Sequence, residues 1–149
     1  MRIIVADTET DGLAYECTKL HVMSWTEDGE TLESTGDYQA MKEVYDSADL
    51  IVMHNAVRHD MVVFNRLLGI PMDYTKYIDT LMVSWYLFPD RASHGLAAIG
   101  EEHGVPKPKV DDWEGLSYEE YKHRCEEDTK INWLEWVKQK KRLEEIYGC

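Results

Sequence analysis

The sequence predicts a single α/β domain with a mixed β-sheet flanked by helices. Residues 2–6 (RIIVA) are apolar without alternation, which is typical of a central strand buried on both faces. Two later apolar runs are joined at Asp28-Gly29, a dipeptide that favours a tight hairpin turn. A helical apolar stripe over residues 37–48 then precedes another apolar run at residues 49–53. Antiparallel strands followed by a β-α-β crossover indicate a mixed sheet.

The first three strands are expected to form an antiparallel meander. The second strand is predicted at residues 20–26 (LHVMSWT) and the third at residues 30–34, on either side of the hairpin dipeptide. Between the first and second strands lies the acidic segment of residues 7–12 (DTETDG). The carboxyl end of the presumed central strand is therefore rich in carboxylates.

Helices are predicted for most of the chain after the crossover. Apolar residues recur at helical spacing over residues 57–68, and a Gly-Ile-Pro sequence ends the run. Two shorter helices are expected at residues 80–87 and 94–103. Ser117 and Glu120 have the spacing of a capping box, and a long helix with a basic tail follows them. The expected order is βββαβα followed by further helices.

The chain has 149 residues, which fits one domain spanning residues 1–149 with a core of its own. Its formal net charge is −13, so a basic nucleic-acid-binding surface over the whole molecule is excluded. Three cysteines without paired spacing indicate a reducing compartment. The N-terminal apolar run is too short for a signal sequence or a membrane span, so a cytoplasmic protein is expected.

Four carboxylates fall where the predicted elements converge. Asp7 and Glu9 stand two residues apart at the end of the first strand, so their side chains point to the same face. Asp60 enters a helix just after another buried strand, and Asp128 lies in a half-apolar helix. Taken singly, each acid fits a solvated turn, a helix cap or a surface position at least as well as a functional site.

Taken together, the four acids could hold two hard divalent cations, which prefer oxygen ligands. Like charges in one place are costly unless a cation lies among them. Two such ions, about 3.5–4 Å apart, are typical of phosphodiester hydrolysis, in which one activates water and the other stabilises the leaving oxygen. Bound ions would also offset about four of the excess negative charges where a nucleic acid approaches.

Three motifs in the same order make the chain resemble a known family. Residues 5–13 (VADTETDGL), 54–60 (HNAVRHD) and 124–128 (RCEED) are similar to the motifs of the DEDD, or DnaQ-like, 3′→5′ exonucleases. Within that family, the proofreading domains of phage-type family A DNA polymerases are the most similar. The connecting segments 78–81 (IDTL) and 93–96 (SHGL) resemble the family's linkers as well. The resemblance implies a ribonuclease-H-like fold.

The resemblance also implies roles for individual residues. Two Mg²⁺ or Mn²⁺ ions would be bound by Asp7, Glu9, Asp60 and Asp128, of which Glu9 also counts as catalytic. The expected substrate contacts are Thr8, Leu13, Asn55 and Arg124. Leu13 would form a wedge against a terminal base, and Asn55 would hold the strand. Lys107 and the basic residues of the last helix are candidates for phosphate contacts or for a plain solvated surface.

The family divides by its general base. One branch has a tyrosine four residues before the last acid, a position that is Arg124 here, and the other (DEDDh) has a histidine five residues before it, which His123 satisfies. Imidazole titrates near neutral pH whereas guanidinium cannot act as a base, so His123 is favoured as the catalytic base. In a regular helix, however, Arg124 shares the face of Asp128, and His123 is turned away by about 140°. The alternative is that the ions alone activate the water while Arg124 contacts phosphate.

The sequence therefore predicts a metal-dependent 3′→5′ exonuclease that hydrolyses single-stranded 3′ ends, DNA in preference to RNA, to nucleoside monophosphates. It is expected in a bacterial or phage-infected host cytoplasm, acting without a membrane, either alone or as the proofreading partner of a DNA polymerase encoded elsewhere. One alternative is an exonuclease for RNA or short oligonucleotides. The other is a non-catalytic module that retains the fold in order to dock a polymerase.

Overall fold

The computed structural model describes residues 1–107 and 115–148. Across these residues a five-stranded mixed sheet has the order β3-β2-β1-β4-β5. The strands are β1 (Ile3–Thr10), β2 (Leu20–Thr26), β3 (Glu33–Thr35), β4 (Leu50–Met53) and β5 (Tyr77–Asp79). β1 pairs antiparallel with β2 and parallel with β4, so it lies at the centre of the sheet. The predicted mixed sheet with a central first strand is confirmed.

Helices pack on both faces of this sheet. They are α1 (Tyr38–Ser47), α2 (Met61–Leu68), α3 (Thr80–Leu87), α4 (Leu96–Glu102) and α5 (Tyr118–Tyr147). A π-helical turn (Ala56–Asp60) leads into α2, and a 3₁₀ turn (Tyr74–Lys76) leads into β5. Ser117 and Glu120 form the expected capping box at the start of α5. None of the helices in the two described stretches is long and apolar enough to cross a bilayer.

The structure differs from the sequence prediction mainly in its short elements. β3 begins at Glu33 rather than at residue 30, and the helix expected over residues 57–68 is divided into the π-helical turn and α2. The sequence does not predict β5, which has three residues. A strand of that length is too short for an alternating pattern to be recognised.

Successive residues of β1 point to opposite faces of the sheet and divide the core in two. Ile4 belongs to the larger apolar cluster, which includes Phe64 of α2. Val5 packs on the other face with Trp136 of α5. Because side chains alternate along a strand, the acids that follow Val5 at alternate positions of β1 also face α5.

The turn between β2 and β3 has no room for a side chain at Gly29. Gly29 has a φ of +79°, and a Cβ built there would lie 2.1 Å from Nε1 of Trp133. Gly29→Ala is expected to lower the free energy of unfolding by about 2 kcal/mol or more, because overpacking adds to backbone strain. Chemical denaturation measures this loss.

Gly69→Ala is the matched control for this prediction. Gly69 has a similar φ of +70° but no atom within 4 Å of the added Cβ. Only backbone strain then opposes the substitution, at about 1 kcal/mol. Equal losses of stability in the two variants would contradict the packing argument.

Candidate active site

Asp7 and Glu9 lie inside β1 rather than in a turn after it, because the strand extends to Thr10. Both side chains face α5, where Asp128 is buried on the side of the helix that packs against the sheet. Carboxylate oxygens of Asp7, Glu9 and Asp128 lie within 4.8 Å of one another. The central strand and the last helix thus bring together three of the four predicted metal ligands, which we call the acidic cluster.

Asp60, the fourth predicted ligand, lies beside the acidic cluster. It ends the π-helical turn, is 2% exposed, and accepts a hydrogen bond from Oγ1 of Thr8 at 2.8 Å. Its charge contributes to the raised pKa of Asp7, so it is within electrostatic reach of the cluster. The hydroxyl of Thr8, an expected substrate contact, is buried and directed at Asp60.

Burial raises the pKa of all four acids. The pKa of Asp7 lies well above its ordinary value because the carboxyl is buried and because Asp128 and Glu9 are close. Burial and the charge of Asp128 raise the pKa of Glu9 to about 7, and burial raises that of Asp60 to about 7. Burial also raises the pKa of Asp128, partly offset by Lys107. Without a bound cation Glu9 and Asp60 are therefore partly protonated near neutral pH, and a divalent ion that binds them must displace those protons.

These raised pKa values predict that the cluster destabilises the metal-free protein as the pH rises. An acid whose folded pKa exceeds its unfolded pKa stabilises the fold fully below the unfolded value and loses that contribution as the pH rises through the folded value. Asp7→Asn removes one such group. We therefore expect the melting temperature in EDTA to fall less in the variant than in the parent as the pH rises from about 4, the ordinary pKa of aspartate, through neutral.

Comparing the variant with the parent separates the effect of Asp7 on the pH dependence of stability from the effect of the histidines. Burial lowers the pKa of His54 and His59, which favours the fold at higher pH and opposes the trend of the acids. Both histidines are present in both proteins, so their contribution cancels in the difference. Parallel melting curves across the pH range would contradict the prediction.

Among the described residues, two basic side chains reach the acidic cluster. Nζ of Lys107 lies 3.3 Å from Oδ2 of Asp128, and its charge partly offsets the raised pKa of Asp7 and Glu9. Arg124 is buried one helical turn before Asp128, and its charge also opposes the rise in the pKa of Glu9. Such cations beside a cluster of carboxylates suit an anionic ligand.

His123 and Arg124, the two residues of α5 that are candidates for a role beside Asp128, lie on different sides of the helix. α5 is continuous from Tyr118, so the irregular start that would turn His123 towards the cluster is absent. His123 is exposed, whereas Arg124 is 7% exposed on the cluster side. The structure therefore brings Arg124 to the acids and leaves His123 facing solvent.

Leu13 and Asn55 lie in the loops that follow β1 and β4. Leu13 is 71% exposed after the end of β1. Asn55 has a left-handed backbone, with φ of 68°, at the start of the π-helical turn. Its backbone N–H donates to Asp79, which also accepts from the N–H groups of Val57 and Leu81. Asp79 is not among the sequence candidates, although an aspartate directly before a predicted helix is a typical N-cap signal.

Similarity to solved structures identifies the architecture. No protein-family model and no curated protein match the chain. NrnC from Brucella melitensis matches with a TM-score of 0.72 at 22% identity, over 97% of this chain and 75% of that one. Its structures with bound Mg²⁺ and with pGG both match at 21% identity and a TM-score of 0.71.

A second match is Escherichia coli RNase D, an exoribonuclease involved in structured RNA processing, with a TM-score of 0.68 at 20% identity. The alignment covers 97% of this chain and 40% of RNase D. The chain has a ribonuclease-H-like fold. This DnaQ-like α/β architecture is the one that the sequence predicts, and that expectation is confirmed. The narrower resemblance to phage polymerase proofreading domains, and to their DEDDh relatives, stays a prediction.

The ribonuclease-H-like fold gives the acidic cluster a donor set that fits divalent cations. Its donors are all carboxylate oxygens, which Mg²⁺ and Mn²⁺ prefer. Oδ1 of Asp128 is buried without a hydrogen-bond partner among the described residues, an arrangement that a cation would satisfy. The residues present therefore fit a hard metal ion, held by Asp7, Glu9 and Asp128 with Asp60 alongside.

Proposed function

We infer that the protein is a metal-dependent 3′→5′ exonuclease that releases nucleoside monophosphates from single-stranded 3′ ends. The observation that carries this inference is the meeting of Asp7, Glu9 and Asp128 within 4.8 Å on a ribonuclease-H-like fold. A group of buried acids with raised pKa values is destabilising in the metal-free protein. Such an arrangement is typical of a functional site that binds cations.

The substrate we propose is RNA or a short oligonucleotide, rather than the DNA strand that the sequence alone favours. Two similar structures support this choice, because RNase D is an exoribonuclease and NrnC has been solved with pGG bound. Neither structure supports a polymerase partner. Proofreading in trans is therefore the second candidate, resting on the sequence motifs alone.

The chain's own residues would bind and orient the substrate in this reaction. When bound at the acidic cluster, two divalent ions would activate a water molecule and stabilise the charge that develops on the phosphate and the leaving 3′ oxygen. Arg124 and Lys107 would contact non-bridging phosphate oxygens, since both cations already lie beside the acids. Asn55 would hold the strand, Leu13 would pack against the terminal base, and Thr8 would keep Asp60 in place. His123 is not required as a base in this arrangement.

Digestion of end-labelled strands tests the proposal directly. The protein is incubated with Mn²⁺ and matched RNA and DNA strands, each carrying fluorescein at either its 5′ or its 3′ end. We expect stepwise shortening of the 5′-labelled strands, immediate release of label from the 3′ end, and faster digestion of RNA. Shortening from the 5′ end would overturn the polarity, and absence of any product would support the non-catalytic module.

A further inference from the structure

A cavity of about 380 Å³ lies between the start of the π-helical turn and α3. That volume is within the range of small-ligand sites. Its polar rim includes Asn55 and Arg58, and its apolar wall is formed by Met82 and Trp85 of α3. The π-helical turn that borders the cavity ends at Asp60, beside the acidic cluster. The π-helical turn thus connects the rim of the cavity to Asp60.

The hydrogen bonds of Asp79 fix the walls of this cavity. Its carboxylate accepts hydrogen bonds from the backbone N–H groups of Asn55, Val57 and Leu81, with N···O distances of 2.9, 3.1 and 3.0 Å. One side chain thus ties the loop after β4 to the first turn of α3. The backbone thus occupies three of the about four acceptor sites of this carboxylate, so Asp79 fixes the position of the segments that line the cavity.

Trp85 offers a flat apolar surface whose position is already fixed. Its ring stacks on the buried ring of His94, with the centroids 3.9 Å apart and the planes 23° from parallel. Nδ1 of His94 lies 2.6 Å from Oγ of Ser84, one residue before Trp85 on α3. Trp85 nevertheless remains 59% exposed, so one ring face is covered and the other is open. A rigid ring with one open face is a ready stacking surface for a nucleobase.

The charge of the molecule favours a base over a phosphate as the occupant of this cavity. With a net charge of −13, the chain cannot hold a nucleic acid by a broad basic surface. Stacking needs no positive charge and tolerates any base, because every base has a π-face. Arg58 is exposed at the rim, where it can contact the backbone of a strand whose base lies against Trp85.

We propose that this cavity is a nucleobase subsite for the retained part of the substrate strand, with Trp85 as its stacking surface. The inference rests on the proposed exonuclease function. α3 follows β5, which lies two strands from β1, about 10 Å away by ordinary strand spacing. As part of this proposal, the base in the subsite is one that precedes the terminal nucleotide. Strands of three or more nucleotides should bind better than a dinucleotide.

Kinetics on strands with a single missing base test this proposal. Fluorescein-labelled hexanucleotides carry one abasic residue at the second, third or fourth position from the 3′ end. We expect one of these positions to raise KM of the parent protein about tenfold, with kcat nearly unchanged. Trp85→Ala should raise KM for the intact hexanucleotide by a similar factor. In this variant, a missing base should then cause no further rise in KM.

Two further variants separate stacking from a general effect on the fold. Trp85→Phe keeps an aromatic ring and should retain most of the affinity. Tyr86→Ala removes an adjacent aromatic side chain that is 60% exposed and does not line the cavity, so it should leave both KM and the abasic response unchanged. Melting temperatures of all variants verify that each is folded.

Direct binding provides a measurement that does not depend on turnover. Fluorescence anisotropy of the same strands with the Asp7→Asn protein, with and without Trp85→Ala, reports affinity alone. Equal affinities with and without Trp85, or an equal loss for dinucleotide and hexanucleotide, would overturn the subsite even if the parent digests every strand. A parent that binds the strands through Trp85 but shortens none would instead overturn the proposed nuclease function.

Discussion

Replacing Asp7 by asparagine is expected to lower the rate of oligonucleotide shortening by at least about a hundredfold while raising the melting temperature of the metal-free protein near neutral pH. The loss of activity follows because Asp7 lies at the centre of the acidic cluster, with oxygens of Glu9 and Asp128 within 4.8 Å. The gain in stability follows because the substitution removes a buried like charge. Initial rates with Mn²⁺ and melting curves in EDTA measure the two effects.

Glu127→Gln is the matched control for Asp7→Asn. It removes the same charge from the chain, next to Asp128 in sequence, but its carboxylate pairs with Lys130 on the surface of α5. We expect activity within about twofold of the parent and a small change in stability, since surface ion pairs contribute little. Mn²⁺ binding measured by calorimetry should weaken in Asp7→Asn only. Full activity in Asp7→Asn would remove the basis for the metal site.

Arg124→Ala is expected to reduce kcat/KM by about one to two orders of magnitude more than His123→Ala does. Arg124 is buried beside the acids, where it can contact a phosphate oxygen, whereas His123 is exposed on another side of α5. Charge-assisted contacts to phosphate from a buried guanidinium are among the stronger polar interactions. Steady-state kinetics at neutral pH on one labelled strand compare the two variants.

Arg124→Lys distinguishes loss of charge from loss of packing. It keeps the positive charge and should recover part of the activity, although lysine cannot form the paired hydrogen bonds of a guanidinium. If His123→Ala were the more damaging change, and also abolished the acidic limb of the pH–rate profile, the general base expected from the sequence would be restored and the proposed role of Arg124 would be wrong.

Local sequence pattern is enough to predict two of the three members of the acidic cluster. Side chains alternate along a strand, so Asp7 and Glu9 are predicted on one face. In the structure their carboxylates lie within 4.8 Å of each other. No local rule can bring Asp128 to them, because its position depends on how α5 packs across the whole sheet. The order of the three motifs predicts that Asp128 joins the other acids, and the structure shows that it lies within 4.8 Å of Asp7 and Glu9.

The missed features are those without a periodic signal. The three-residue β5 has no periodic signal. Its last residue, Asp79, joins the loop after β4 to α3, and the sequence marks it only by its N-cap position before a predicted helix. Lys107 is a sequence candidate for a phosphate contact or a plain solvated surface, and its Nζ lies 3.3 Å from Oδ2 of Asp128. The capping box at Ser117 predicts where α5 begins. Counting about 100° per residue from there predicts which residues of α5 share the face of Asp128. This geometry predicts Arg124 beside the acids, whereas the chemistry of imidazole favours His123.

The cluster joins Asp7 and Glu9 of β1 to Asp128 of α5, so it spans nearly the full length of the described chain. During synthesis the strand acids leave the ribosome long before the helix that completes their set. A nascent chain therefore has no competent centre until α5 has been made and has docked. For the proposed exonuclease, this order of translation would keep a partly folded chain from cleaving a strand.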